Sequence, residues 1–161
     1  MRTRTILLGV VFLASLWLPG CASQGQNFKN EIPHVTWLSY HSALVTGESE
    51  NKPTLLHFST DWNEGSQKME RETYANYDVA GYMKANFSSG WIDTERHPGL
   101  AKKYKVSSLP TICFLDSQGK LLTSTNGFIG PKRLFMLLEF INTGAYEKLS
   151  FEAWKTRRVE R

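Results

Sequence analysis

Two cysteines, four histidines and fifteen carboxylates are the side chains of this 161-residue chain that could carry chemistry. Their spacing excludes most of the options. Cys21 and Cys113 are too few for a four-cysteine zinc site, an iron–sulfur cluster or a disulfide-dense scaffold. His34, His41, His57 and His97 show neither an H-E-x-x-H pattern nor clustered ligand spacing, so no metal and no cofactor are expected. Ser66 has no His and Asp partners identifiable in the sequence, which leaves a nucleophilic serine without its base. Glu64, Glu70 and Glu72 share a helical stretch and read as its solvated face, with Glu64 suited to the positive end of the helix dipole. Cys113, between Ile112 and Phe114, reads as a small core hydrophobe. The alternative is one-thiol chemistry, in which Cys113 forms a mixed disulfide with a partner.

The elements that must position these residues begin after a leader. Arg2 and Arg4 precede an apolar run from Ile6 to Leu18. That run is short of the roughly 20 residues that span a bilayer core. A basic start, a short apolar stretch and small residues form the pattern of an export signal, residues 1–20. Leu18-Pro19-Gly20-Cys21 resembles the lipobox of bacterial lipoproteins, whose chain is cut before the cysteine and acylated on it. The resemblance implies a lipid anchor at Cys21, a periplasm-facing domain and a place in the bacterial cell envelope. Ala22, where Asp would resemble an inner-membrane retention signal, points to the outer membrane. Each buried CH₂ of an acyl chain contributes about 0.8 kcal/mol to anchoring. Residues 21–33, polar with Gly25 and Pro33, read as a tether. With Cys21 acylated, Cys113 would be the sole thiol and no internal disulfide could form.

The remainder suits one domain, residues 34–145, with a basic helical extension over 146–161. Hydrophobic residues at 41% and charged residues at 21% exclude global disorder. A formal charge of +4 is mild and does not favour nucleic acid as a partner. Trp37, Tyr40, His41 and Leu44 recur at spacings of three and four and predict a first helix. Pro53 opens a short apolar run, Thr54 to Thr60, typed as a buried strand. Asp61 or Asn63 would cap a helix running through Lys68, Met69 and Tyr74. Helical spacing resumes from Val79, a strand is expected over 87–93 and a short helix over 100–104. Thr111 to Leu115, the turn Asp116-Ser117-Gln118-Gly119 and Lys120 to Ser124 predict a hairpin. Pro131 stands at the start of a helix with Leu134, Leu137, Leu138 and Ile141 on one face, stopped at Thr143-Gly144. Strand, helix, strand, hairpin and helix make an α/β chain with a mixed sheet. Phe58, Met69, Phe114, Leu137 and Leu138 are expected in its core.

Three segments, LLHFSTDWNEGSQKMERETY, AKKYKVSSLPTICFLDSQGK and GFIGPKRLFMLLEFI, resemble the thioredoxin superfamily in order and spacing. They cover the chain from Pro53 to Ile141 and look most like the periplasmic members. The resemblance implies a thioredoxin-like fold, a central mixed sheet flanked by helices, with an active-site helix and a cis-proline loop at Leu109-Pro110. The family signature, W-C-x-x-C, is absent: Trp62 is followed by Asn63-Glu64-Gly65-Ser66. The position matching the family's buried acid holds His57. Asn63 and Ser66 cannot run a dithiol–disulfide cycle, because neither side chain forms a thiolate or a disulfide. What the resemblance leaves intact is a groove in which Trp62, Asn63, Ser66, Leu109 and Pro110 would hold an extended peptide, as an added strand does. The expected function is a lipid-anchored module without dithiol redox activity that binds a protein or peptide partner in the envelope. The alternative is a divergent thiol–disulfide oxidoreductase relative that acts through Cys113.

Overall fold

Pro53 ends the preceding turn and the chain enters β1 (Thr54–Ser59), whose six residues are all buried. A strand buried on both faces needs layers on both sides, and the rest of the chain supplies them. The computed structural model describes residues 34–159; the leader, the tether and Cys21 lie outside the described residues. The sheet has four strands in the order β2-β1-β3-β4, with β2 at Ser88–Asp93, β3 at Thr111–Leu115 and β4 at Leu121–Asn126. β1 runs parallel to β2 and antiparallel to β3, and β3 pairs antiparallel with β4. The mixed α/β fold expected from the sequence is therefore present.

Alternation along β1 and β3 sorts the helices. Leu55, Ile112 and Phe114 face a core shared with Met69, Val79, Met83, Leu134, Leu138 and Ile141. Those residues come from α2 (Glu64–Lys68) and its continuation, α3 (Tyr77–Asn86) and α5 (Pro131–Asn142). Leu56, Phe58, Cys113 and Leu115 face the opposite layer, built by α1 (Tyr40–Ser49) and α4 (Pro98–Lys103), with Ala43 and Tyr104 among its buried residues. Phe58, Met69, Phe114, Leu137 and Leu138 are all buried, as expected.

Two predicted helices differ in detail. The first does not include Trp37: it starts at Tyr40, where the Ser39 side chain accepts from the Ser42 N–H. Trp37 instead lies in an extended strap that runs alongside β2, with Leu38 bridging to Gly90. A Cβ on Gly90 would lie 2.8 Å from Leu56 Cδ2 and 3.1 Å from Ala43 Cβ, so only glycine lets these layers close. The helix through Met69 and Tyr74 also changes character. It is α-helical to Lys68 and widens to a π-helix over Met69–Tyr74. That wider turn buries Thr73 and Tyr74 in succession, and Thr73 Oγ1 donates to the Ile129 carbonyl at 2.6 Å. The C-terminal stretch forms α6 (Phe151–Val159), whose Phe151 and Trp154 pack on Phe140 of α5.

α5 carries much of the first core, with Leu134, Leu137, Leu138, Phe140 and Ile141 buried. Leu138 has no exposed surface. Leu138→Ala should destabilise the protein by about 2–5 kcal/mol, the range for a core leucine whose site cannot collapse. Chemical denaturation of the two proteins checks this, and a loss below ~1 kcal/mol would mean that the α5 face is not close-packed.

Candidate functional site

Beyond β1 the chain turns through Asp61 and Trp62 and enters α2 at Asn63. Of the two caps considered, Asn63 is the one used: its side-chain oxygen accepts from the Ser66 N–H at 2.9 Å. The cap satisfies one of the free N–H groups at a helix start. Gly65, in the first turn, faces the loop before β3; a Cβ there would sit 2.9 Å from Pro110 Cδ. The Leu109–Pro110 bond is cis, so the loop and the helix start meet as the resemblance implied.

The five groove residues do not share one kind of surface. Trp62 is 65% exposed, and its indole N–H donates to Glu95 at 2.9 Å. Asn63 and Leu109 are half-buried, and Pro110 is buried. Ser66 is only 1% exposed and turns inward, where its hydroxyl hydrogen-bonds Ser59. The Ser59 hydroxyl also donates to the Thr60 carbonyl at 3.0 Å. A hydroxyl has one proton, so Ser59 donates to either Ser66 or the Thr60 carbonyl at any moment. Ser66 therefore lines no surface, and of the five expected groove residues Trp62, Asn63 and Leu109 are the accessible ones. Among the described residues, the backbone N–H and C=O of Leu109 have no hydrogen-bond partner, whereas the Pro110 carbonyl accepts from the Gly127 N–H at 2.7 Å.

His57 lies two residues before Ser59, on the same face of β1. Its Nδ1 shares a hydrogen bond with the Tyr74 hydroxyl at 2.9 Å, and its Nε2 has no partner among the described residues. Trp37, Tyr74 and Trp91 surround the ring at centroid distances of 5.9, 5.4 and 4.4 Å. Burial pushes the imidazole pKa down to about 3 and pushes the Tyr74 phenol well above its ordinary value. Both groups are neutral. Position, not composition, was the available signal for this cluster, since Trp37 and Trp91 are remote from His57 in sequence.

Cys113 is on the other face of the sheet from Ser66, in the layer with Leu56 and Tyr104, and is fully buried. Burial pushes its thiol up to about 12, the reverse of an activated thiol. Among the described residues no three His, Cys, Asp or Glu side chains are placed to hold a metal ion. A cavity of about 480 Å³, lined by Asn76, Pro131, Lys132 and Phe135, includes none of the groove residues.

A family model described as a thioredoxin-like domain matches residues 40–142. The chain belongs to this family. Its relatives include the thiol:disulfide interchange protein DsbD of Yersinia pestis, 25% identical over 152 residues, which cover 89% of this chain. The chain spans about a quarter of that protein's length, the match covering 25% of it. The disulfide bond reductase DsbH of Chlamydia pneumoniae is 25% identical over 138 residues, covering 72% of this chain and 83% of the relative. Among solved structures, a thioredoxin from Thermus thermophilus superposes with a TM-score of 0.61 at 18% identity, over 66% of this chain and 86% of that one. A DsbH oxidoreductase superposes with a TM-score of 0.57 at 20% identity, over 79% of this chain and 94% of its own. The chain is thus a thioredoxin-like domain related to Dsb thiol–disulfide proteins, with Asn63 and Ser66 at the positions the family signature gives to cysteine.

The buried imidazole makes stability depend on pH. The folded-state pKa of about 3 lies below the ordinary 6.5, so the unfolded chain binds the proton first. The contribution is complete above pH 6.5 and is lost as pH falls from there towards 3. At pH 5 the loss should be about 2 kcal/mol, at roughly 1.4 kcal/mol per pH unit. Denaturation midpoints of wild type and His57→Gln across pH 4–7 check this; equal slopes for the two would rule His57 out as the source.

Proposed function

We propose that this domain is a peptide-binding module of the bacterial cell envelope that runs no dithiol–disulfide cycle. One observation carries the reading: Leu109, next to the cis-proline that abuts Gly65 in the turn after Trp62 and Asn63, keeps its backbone donor and acceptor free of partners among the described residues. An extended segment can pair with those two groups as an added strand does, and the exposed Trp62 ring supplies apolar contact beside them. The chemistry of the site supports binding without turnover. Asn63 is an amide engaged as a helix cap, and Ser66 is a buried hydroxyl bonded to Ser59. Action through Cys113 alone is disfavoured by its burial, its raised pKa and its place across the sheet. The relatives are a thiol:disulfide interchange protein and a disulfide bond reductase, which suggests a partner protein that carries a disulfide or its reduced cysteines.

Two tests separate binding from catalysis. In an NMR titration with unstructured peptides, the Leu109 amide and the Trp62 indole should shift together, while the purified wild type fails to reduce a disulfide substrate. The double change Asn63→Cys with Ser66→Cys should confer thiol–disulfide exchange, because both positions lie in the first turn of a helix whose N–H groups stabilise a thiolate. Glu64 beside the new thiol would keep that gain modest. Turnover by wild type that disappears in Cys113→Ala would establish the enzyme reading instead.

The reading also includes a lipid anchor at Cys21, a periplasm-facing domain and residence in the outer membrane, all resting on the Leu18-Pro19-Gly20-Cys21 pattern and on Ala22. Cys21→Ser should release the domain from membranes or block its maturation. A correctly cut Cys21→Ser protein that still partitions with membranes would refute the anchor.

A further inference from the structure

The strap that precedes α1 packs Val35 and Trp37 against one core and Leu38 against the other. Among the described residues its backbone makes two bonds to β2, Leu38 N–H to the Ser89 carbonyl at 2.9 Å and Trp91 N–H to the Leu38 carbonyl at 3.1 Å. Cavities border it: one of about 250 Å³ is lined by Val35, Thr36 and Leu38 with Met83 and Phe87 opposite. Another, of about 470 Å³, begins at Ser39 and Tyr40 and reaches Trp91. The strap's main side-chain anchor is Trp37, with ring centroids 4.9 Å from Tyr74, 5.5 Å from Trp91 and 5.9 Å from His57.

Under that ring lies an imidazole that cannot take up a proton where it stands. The groups facing it are Trp37 from the strap, Tyr74 from the π-helical turn and Trp91 from β2, with Ile112 in register on β3. None is a carboxylate. Glu70, on the π-helical turn, acts on Tyr74 and is not among the groups that set the His57 pKa. A protonated ring would have two N–H donors; Tyr74 could accept one, and the other would be buried without an acceptor. The tilted Trp91 face offers a cation–π contact, which does not replace lost hydration. The proton therefore requires water at Nε2. Tyr74 and Trp91 belong to a helical turn and a sheet strand, while Trp37 belongs to a segment with two backbone bonds among the described residues, so Trp37 is the covering group whose departure breaks the fewest backbone hydrogen bonds.

We propose that the strap, residues 35–38, is an acid-released latch, which opens without unfolding the sheet as His57 takes up a proton. Opening frees the Trp91 amide and the Ser89 carbonyl on the outer edge of β2. The device is independent of the groove and of any peptide bound there.

Amide hydrogen exchange on the full mature chain reads this directly. After correction for intrinsic rates, the opening constants of the Leu38 and Trp91 amides should rise about tenfold per pH unit below 6.5. They should stay well above those of Leu56 and Phe58 in β1. His57→Gln should abolish the slope at Leu38 and Trp91. In Trp37→Ala, which keeps the imidazole, the His57 ring followed by NMR should titrate near its ordinary 6.5. Opening constants at Leu38 and Trp91 that are flat with pH, or equal to those of Phe58, would overturn the latch. A His57 that still resists protonation in Trp37→Ala would overturn Trp37 as its cover.

Discussion

No side chain of β1 reaches water, and the strand is paired along both edges. Every polar group on it must therefore find a partner within the fold, because an unmet buried donor or acceptor costs about 1–3 kcal/mol. The polar members dictate what packs around them. Thr54 leans on the Ala43 carbonyl of α1, His57 on Tyr74 at the end of the π-helical turn, and Ser59 on Ser66 in the first turn of α2. Three neighbouring elements are thus tied to one strand by its few polar atoms, while Leu55, Leu56 and Phe58 supply apolar contact to both layers. Two buried groups are exceptions, with no partner among the described residues: His57 Nε2 on the strand and the Thr60 hydroxyl just beyond it.

The tie between Ser59 and Ser66 also explains why the fold survives without the family's reactive pair. A helix start needs its N–H groups satisfied, and Asn63 does this with a neutral oxygen. The position one turn deeper needs a small group that fits beneath the loop, and a hydroxyl bonded to Ser59 fits there. Gly65 then lets Pro110 close over the turn. Each of these contacts concerns shape and hydrogen bonding, so the geometry of the helix start needs no thiol at either position.

Much of this was legible in the sequence, and the rest was hidden for identifiable reasons. β1, β3 and α5 follow from short apolar runs and from leucines at helical spacing, which reflect burial directly. Trp37 was misleading because its spacing to Tyr40, His41 and Leu44 fits a helix, although Ser39 between them is a ready cap. Widening at Met69 has no compositional mark; it answers to Ile129 and His57, both far away in the chain. The resemblance puts Ser66 in the groove, because it stands at the second cysteine position of the family signature. Only the small Ser59 beneath it, itself hidden in an apolar run, explains its burial.

The Asn63 cap has a consequence for substitution. Placing a C-x-x-C pair at this helix start would have to pass through single changes, and neither of them supplies two thiols. A thiol at position 66 alone would replace a hydroxyl that is bonded inside the fold and would have no partner sulfur in the turn. A thiol at position 63 alone would give up a cap whose removal typically costs about 1 kcal/mol, and would expose an unpaired sulfur. Each single change therefore costs hydrogen bonding or leaves a sulfur without a partner in the turn, so the helix start accepts a thiol pair only when both positions change together.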